Sequence, residues 1–167
     1  MKGDKYRLVE LPMGWMILLA GEGGLTRASL KPSPQEAIED LGSDLESAEE
    51  DPQAFDEVVN RLHRYATGDM TALDEILLDL SGVTPFFRAA WEACRSIPPG
   101  ETRSYAWLAA EAGSPLAMRA AGQSMARNRF SLIIPCHRVI ASDGGLGGYG
   151  GGGLTVKARL LQMELGH

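Results

Sequence analysis

The stretch YAWLAAEAGSPLAMRAAGQSMAR, residues 105–127, decides how the second half of this chain folds. Tyr105 to Ala112 is made of residues that tolerate a helix, Gly113-Ser114 interrupts it, and Pro115 can sit in the first turn of a second helix running to Arg127. Two short helices around a glycine-containing turn predict a helix-turn-helix. The second helix carries Ala117, Ala120, Ala121, Gly122, Ser124 and Ala126, with Arg119 and Arg127 among them. Tight packing against a neighbouring helix would use such small residues, and alanine is also the best helix former. A nucleic-acid surface would use them as well: Ala120 and Ser124 would let the helix approach a sugar-phosphate backbone, while Arg119 and Arg127 supply charge and reach.

Working upstream, Thr84-Pro85 makes a capped start for a helix bearing Phe87, Ala90, Trp91 and Cys94, which Pro98-Pro99-Gly100 closes off. Residues 81–167 therefore read as one helical domain. Residues 1–80 read differently. Tyr6–Leu11, Trp15–Ala20 and Leu25–Leu30 are short apolar runs separated by Pro12-Met13-Gly14 and by Gly21 to Gly24, the pattern of a small antiparallel meander. Lys31 to Asp51 is acidic and contains Pro32, Pro34 and Gly42, which predicts a surface loop with at most a short helix. Pro52 is expected to open a helix carrying Phe55, Val58, Val59, Leu62 and Tyr65 until Gly68 ends it. Ile76 to Leu80 is a short strand or a linker. The expected class is α/β of the α+β kind, a sheet-and-helix domain over 1–80 followed by a helical domain over 81–167.

With 167 residues, 44% of them hydrophobic, the chain can bury a core as one domain or two small ones. No run approaches the roughly 18 apolar residues of a membrane span, and no signal-peptide core follows Met1, so the cytosol is the expected address. Cys94 and Cys136 are then expected as free thiols. A net charge of −6 looks wrong for a protein that binds a polyanion. The charges are unevenly placed, however: residues 1–80 hold seven Lys/Arg against seventeen Asp/Glu, and residues 81–167 hold nine against five. Only the second half suits nucleic acid.

Ser131-Leu132-Ile133-Ile134 has the composition of a buried strand and leads into Pro135-Cys136-His137-Arg138-Val139. Cysteine attacks as thiolate, and an ordinary pKa near ~8.5 leaves little of it at neutrality, so a base or a positive field is needed. His137 is the candidate base and Arg138 adds charge. Adjacent side chains on an extended segment point to opposite faces, so Pro135 must open a turn if the two are to cooperate. Glu164 borders the stripe formed by Leu154, Ala158 and Leu161 in the last helix, and either orients His137 or is an exposed surface glutamate. Cys94 sits on the stripe of Phe87, Ala90 and Trp91, where cysteine is a small hydrophobe. No ligand spacing for a metal is present among the cysteines and His63, His137 and His167, and no cofactor is implied. The glycine run from Gly144 to Gly153 lacks the lysine and hydroxyl residue of a phosphate loop, and reads as a wing or pocket wall with Tyr149 as its one large side chain.

The segment Ile134-Pro135-Cys136-His137-Arg138-Val139-Ile140 resembles the active-site signature of the O6-alkylguanine-DNA alkyltransferases, the methylated-DNA–protein-cysteine methyltransferase family. The likeness extends from Thr84-Pro85-Phe86 through Ile97 to Thr102, Ser104-Tyr105, Arg119-Ala120, Asn128 and Gly148-Tyr149 to Lys157 and Glu164. It implies an RNase H-like sheet domain supporting a helical domain of winged-helix type. It implies that Cys136 accepts the alkyl group, that His137 takes its proton through a water with Glu164 behind it, and that Asn128 braces the turn. Arg119 would fill the space of a flipped-out nucleotide, and Tyr105 would help protonate the departing guanine. Met125, Val139, Tyr149, Gly150 and Ser131 would line the base pocket, and Arg138 would join Arg119, Ala120, Ser124 and Arg127 on the DNA. The expected partner is double-stranded DNA entered from the minor groove by a monomer. Gly150 stands where many relatives have a serine, which bears on the size of alkyl group accepted. Two other readings compete: a non-catalytic lesion-binding relative, which would carry tryptophan in place of Cys136, and a thiol hydrolase, which would have no use for Arg119 or a helix-turn-helix.

Overall fold

The computed structural model describes residues 3–141, 143–145 and 153–166. The chain divides into two compact units, Met1–Asp79 and Leu80–His167. In the first, β1 (Asp4–Leu11), β2 (Gly14–Gly21) and β3 (Gly24–Lys31) form the expected antiparallel meander, and the sheet order is β3-β2-β1-β4. Ile17 and Leu19 on β2 pack with Ala37 and Leu41 of α1 (Pro34–Leu41). The opposite face carries Met16 and Leu18, and there Arg7, paired with Leu18, donates to Ala54 O and to Asp56 at the start of α2 (Asp56–Ala66). Helices thus lie against both faces of the sheet, α1 against β2 and β3 and α2 against β1, and β2 is buried on both sides, which accounts for its nearly continuous apolar run in place of strict alternation.

Three local expectations for this unit change. The segment Lys31–Asp51 is more ordered than a loop. Ser33 caps α1 by accepting the Glu36 N–H while its hydroxyl donates to the Glu36 carboxylate, and Ala48–Glu50 forms β4, parallel to β1. The second helix begins at Asp56, not Pro52. Asp51 accepts the Gln53 N–H on its side chain and the Ala54 N–H on its backbone, closing a turn, and Phe55 at φ +63° then breaks continuity. Val59, Leu62 and Tyr65 are buried as expected, but Phe55 and Val58 are only half-buried. Between Ile76 and Leu80 the chain makes one parallel bridge, Leu78 to Leu25.

The second unit opens with α3 (Pro85–Arg95), capped by Thr84 accepting the Phe87 N–H. Ala90, Trp91 and Cys94 form its buried stripe, while Phe87 is half-buried and leans on Trp91 at 6.1 Å between ring centroids. The helix-turn-helix is present as α4 (Tyr105–Glu111) and α5 (Met118–Ala126), with Ser104 capping α4. The Trp91 indole donates to Ser124 O at 2.8 Å and so pins α5 onto α3. A two-residue parallel pair, β5 (Arg103–Ser104) with β6 (Val139–Ile140), ties the start of α4 to the segment after Cys136. The last helix is α6 (Leu154–Leu165). Among the described residues no helix is long and apolar enough to cross a membrane.

Candidate active site

Leu132, Ile133 and Ile134 are buried, but residues 131–134 are not a strand. Leu132 lies at φ +69°, Ile134 N–H donates to Phe130 O, and Ile133 N–H donates to Ser131 O, a series of tight turns. Asn128 supplies what a ladder would have supplied. Its Nδ2 donates to Ile134 O at 2.9 Å and to Phe130 O at 3.4 Å, and its Oδ1 accepts the Phe130 N–H at 2.9 Å. The apolar content expected of a strand instead plugs Leu132, Ile133 and Ile134 into the core, and the loop arrives at Pro135 held by one amide side chain.

Cys136–Arg138 is a single 3-10 turn, so Pro135 does redirect the chain. Cys136 is 8% exposed, and His137 and Glu164 are fully buried or nearly so. His137 Nε2 lies 2.8 Å from Glu164 Oε2. Arg138 straddles the same carboxylate, Nε to Oε1 at 2.9 Å and Nη2 to Oε2 at 2.8 Å, and its Nη1 donates to Ile97 O at 2.7 Å. Burial would raise the Glu164 carboxyl, but the hydrogen bonds from His137 and Arg138 outweigh it and hold the group well below the usual carboxylate range. An ionised carboxylate only accepts, so His137 Nε2 carries the proton and Nδ1 is the basic nitrogen. Burial also pulls the imidazole below its ordinary value, more strongly than Glu164 raises it, and His137 is neutral at rest. The Cys136 thiol is pushed up by burial, with Asn128 and Lys157 opposing in part. The resting pair is thus a neutral thiol and a neutral imidazole.

Several sequence-based placements change here. Arg138 does not face a phosphate; it is buried and spent on Glu164 and Ile97, because a guanidinium is the side chain that can bridge a buried carboxylate bidentately. Ser124 does not face DNA either: it is buried, and its hydroxyl donates to Ala121 O at 2.7 Å. The face α6 buries is Lys157, Leu160 and Glu164, whereas Leu154 and Ala158 are exposed and Leu161 is half-buried. Arg119 and Arg127 are exposed on or just after α5, and Ala120 is half-exposed beside Arg119. Met125 and Val139 are buried, Tyr105 is half-buried, and Ser131 is half-exposed. Burial pushes the Tyr105 hydroxyl up, with the Cys136 and Cys94 thiols adding to it. Tyr149 and Gly150 lie outside the described residues. Among those residues no three His, Cys, Asp or Glu side chains gather as a metal site. Sequence reasoning assigned no role to Lys157, whose Nζ donates to Val139 O at 2.8 Å; its burial gives no local signal, since a lysine in an exposed-looking helix is normally solvated.

His137 and Glu164 both have lowered pKa values in the folded chain, so the unfolded chain takes up protons first on acidification. Stability is therefore full above pH 6.5, begins to fall below it as unfolded imidazole protonates, and falls more steeply below pH 4.5. Urea unfolding across this range checks it; a midpoint flat from neutrality into the carboxylate range would contradict the neutral buried histidine.

A helix-turn-helix joined to a cysteine whose histidine has a carboxylate of its own defines a DNA-acting thiol enzyme. Residues 85–166 match the family model for the DNA-binding domain of 6-O-methylguanine DNA methyltransferase. A methylated-DNA–protein-cysteine methyltransferase of Mycolicibacterium paratuberculosis is 39% identical over 163 residues, covering 98% of this chain and 93% of the relative. The constitutive enzyme of that name from Bacillus subtilis is 37% identical, covering 95% and 94%. The crystal structure of Mycobacterium tuberculosis OGT in complex with DNA superposes with a TM-score of 0.82 at 38% identity, covering 97% of this chain and 93% of that one. This chain belongs to the methylated-DNA–protein-cysteine methyltransferase family.

Proposed function

We propose that this chain repairs O6-alkylguanine in double-stranded DNA by moving the alkyl group irreversibly onto its own Cys136. The observation that carries this reading is the buried histidine held by Glu164 at 2.8 Å directly after the cysteine, in the same unit as the helix-turn-helix. His137 Nδ1 takes the thiol proton through a water as the lesion arrives. Cys136 Sγ then attacks the alkyl carbon; the S–C bond forms, the C–O6 bond breaks, and its electron pair passes to the purine. Tyr105, whose hydroxyl burial keeps protonated, donates the proton that the purine needs. A thioether offers water no leaving group, so each molecule reacts once.

An alkyl group on O6 is shielded inside the duplex, and the nucleotide must leave the stack to reach a buried sulfur. Arg119, exposed on a helix of small residues, fills the gap from the minor groove, with Ala120 allowing close approach and Arg127 contacting the backbone. Met125 and Val139 line the base pocket, with Ser131 at its mouth. Residues 1–80 support this alkyl-acceptor domain. A monomer in the cytoplasm suffices for the task, and O4-alkylthymine is a second candidate substrate.

The test is intact-protein and peptide mass spectrometry after incubation with excess duplex containing one O6-methylguanine. One methyl on Cys136 and none elsewhere is expected. An unmodified chain that still binds the lesion tightly would make it a lesion sensor. Arg119→Ala is expected to slow transfer from duplex by about tenfold or more, one side chain's share of a flipping cost of a few kcal/mol, and to leave transfer from the free alkylated base unchanged. Equal losses on the two substrates would remove the flipping role.

A further inference from the structure

Helix α6 holds the cysteine turn at two places. Seven residues before Glu164, and on the same buried face, Lys157 is fully buried and its ammonium donates to Val139 O at 2.8 Å. Val139 follows the Cys136–Arg138 turn directly and is paired with Arg103 in the strand that leads to Tyr105. Glu164 therefore fixes the turn through His137 and Arg138, while Lys157 fixes its exit and the strand that bounds the pocket. A buried ammonium is costly, and a backbone carbonyl is met as well by a neutral donor. The charge itself calls for an explanation.

We propose that Lys157 is a positioning residue for the transfer, clamping Val139 beside Cys136 and supplying the buried positive field that stabilises negative charge as it develops on Sγ. The charged and titratable groups around the thiol are Cys94 from α3, Tyr105 from α4 and Lys157 from α6, with His137 and Arg138 next to it in its own turn and Glu164 of α6 bound to both of those. Cys94 and Tyr105 bring no positive charge, and His137 is neutral at rest. Arg138 is ion-paired bidentately with Glu164, so their fields largely cancel at a distance. Lys157 opposes the effect of burial on the thiol; burial pulls its own ammonium below the ordinary value, and the Cys136 and Cys94 sulfurs oppose that shift. The inference rests on Cys136 being the alkyl acceptor, and it deepens that reading by dividing activation between two groups: His137 receives the proton and Lys157 favours the anion left behind.

The experiment compares single-turnover methyl transfer from an O6-methylguanine duplex to the full chain and to Lys157→Gln and Lys157→Arg, each across a range of pH. Glutamine keeps a neutral donor for Val139 O; arginine keeps both donor and charge. Lys157→Gln is expected to be slower by about tenfold at neutral pH, with the deficit narrowing only in the alkaline range above the ordinary thiol value, because burial holds the Cys136 thiol above it. Lys157→Arg is expected to keep the parent's pH profile. A Lys157→Gln rate equal to the parent's, or a deficit constant at every pH, overturns the proposal. Independently of whether either variant folds, the Cε resonance of Lys157 in the unaltered chain should show an ammonium throughout the neutral range, and a lysine that is neutral there overturns it as well. Parent chain that accepts no methyl at all would instead sink the reading of Cys136 as acceptor.

Discussion

Glu164→Ala should cost about 3–5 kcal/mol of folding stability, because it strips the partner from a buried guanidinium. Arg138 would retain only Ile97 O, with two of its N–H groups and the His137 Nε2 proton aimed at an empty space. Desolvating a carboxylate is expensive, yet here three hydrogen bonds, from His137 and Arg138, converge on it, and the carboxyl is held ionised against its burial. The attraction wins, so removing one member leaves an uncompensated cation. Glu164→Gln separates stability from chemistry. It keeps the shape and one carbonyl acceptor, so unfolding in urea should show a smaller loss than for alanine. It no longer fixes the His137 tautomer or stabilises an imidazolium, and transfer should fall on the order of 10²–10⁴-fold, as in other relays that lose their orienting acid. A glutamine variant that methylates itself at the parent's rate would mean that Glu164 only holds Arg138 in the fold.

The elements legible in the sequence are those in which one local signal decides. Three apolar runs between turn signals gave the meander, and a glycine between two short helical stretches gave α4 and α5. β4 was not legible, because an edge strand of Ala48-Glu49-Glu50 has one partner and largely exposed side chains, which leaves no pattern of burial to read. Residues 131–134 show the opposite failure. Their composition is that of a strand, and only the folded geometry reveals that Asn128, close by in the chain, has taken the hydrogen bonds a neighbouring strand would make.

The candidate site was legible at the adjacent Cys136 and His137, left open at Glu164 until the family resemblance was drawn, and obscure wherever a charge is buried. Cys136 and His137 stand next to each other in the sequence, and Glu164 is a carboxylate on a largely apolar helix. Arg138 and Lys157 look like surface residues, because the ordinary fate of such side chains is solvation. Their burial follows from contacts 26 and 18 residues away in the chain, to Glu164 and to Val139 O. The same blindness misplaced the stripe on α6: ranking Leu154, Ala158 and Leu161 as the inner face is sound by hydropathy, yet the helix is oriented by a salt bridge and an ammonium. A functional site inverts the hydrophobic pattern where its polar groups satisfy one another.

Cys136→Ser should abolish methyl transfer while leaving DNA binding intact, and the reason for each half differs. A hydroxyl in the same cavity has a far higher pKa than a thiol, and the neutral His137 and the Lys157 field that suffice for sulfur cannot generate an alkoxide. On the proposed reading DNA binding rests on Arg119 in α5 and Arg127 just after it, and the Trp91 bond to Ser124 O, not the sulfur, holds that helix. The variant should therefore retard a duplex carrying O6-methylguanine in a gel shift and show no gain of mass afterwards. Cys94 supplies the internal control. It is a second buried thiol in the same unit, but burial raises its pKa well above the ordinary value. If Cys136→Ser still gained a methyl, with the mass on Cys94, burial would have been no protection and the His137–Glu164 pair would not be what selects the acceptor. If the mass is unchanged and the complex persists, acceptor choice follows from activation of one thiol over another.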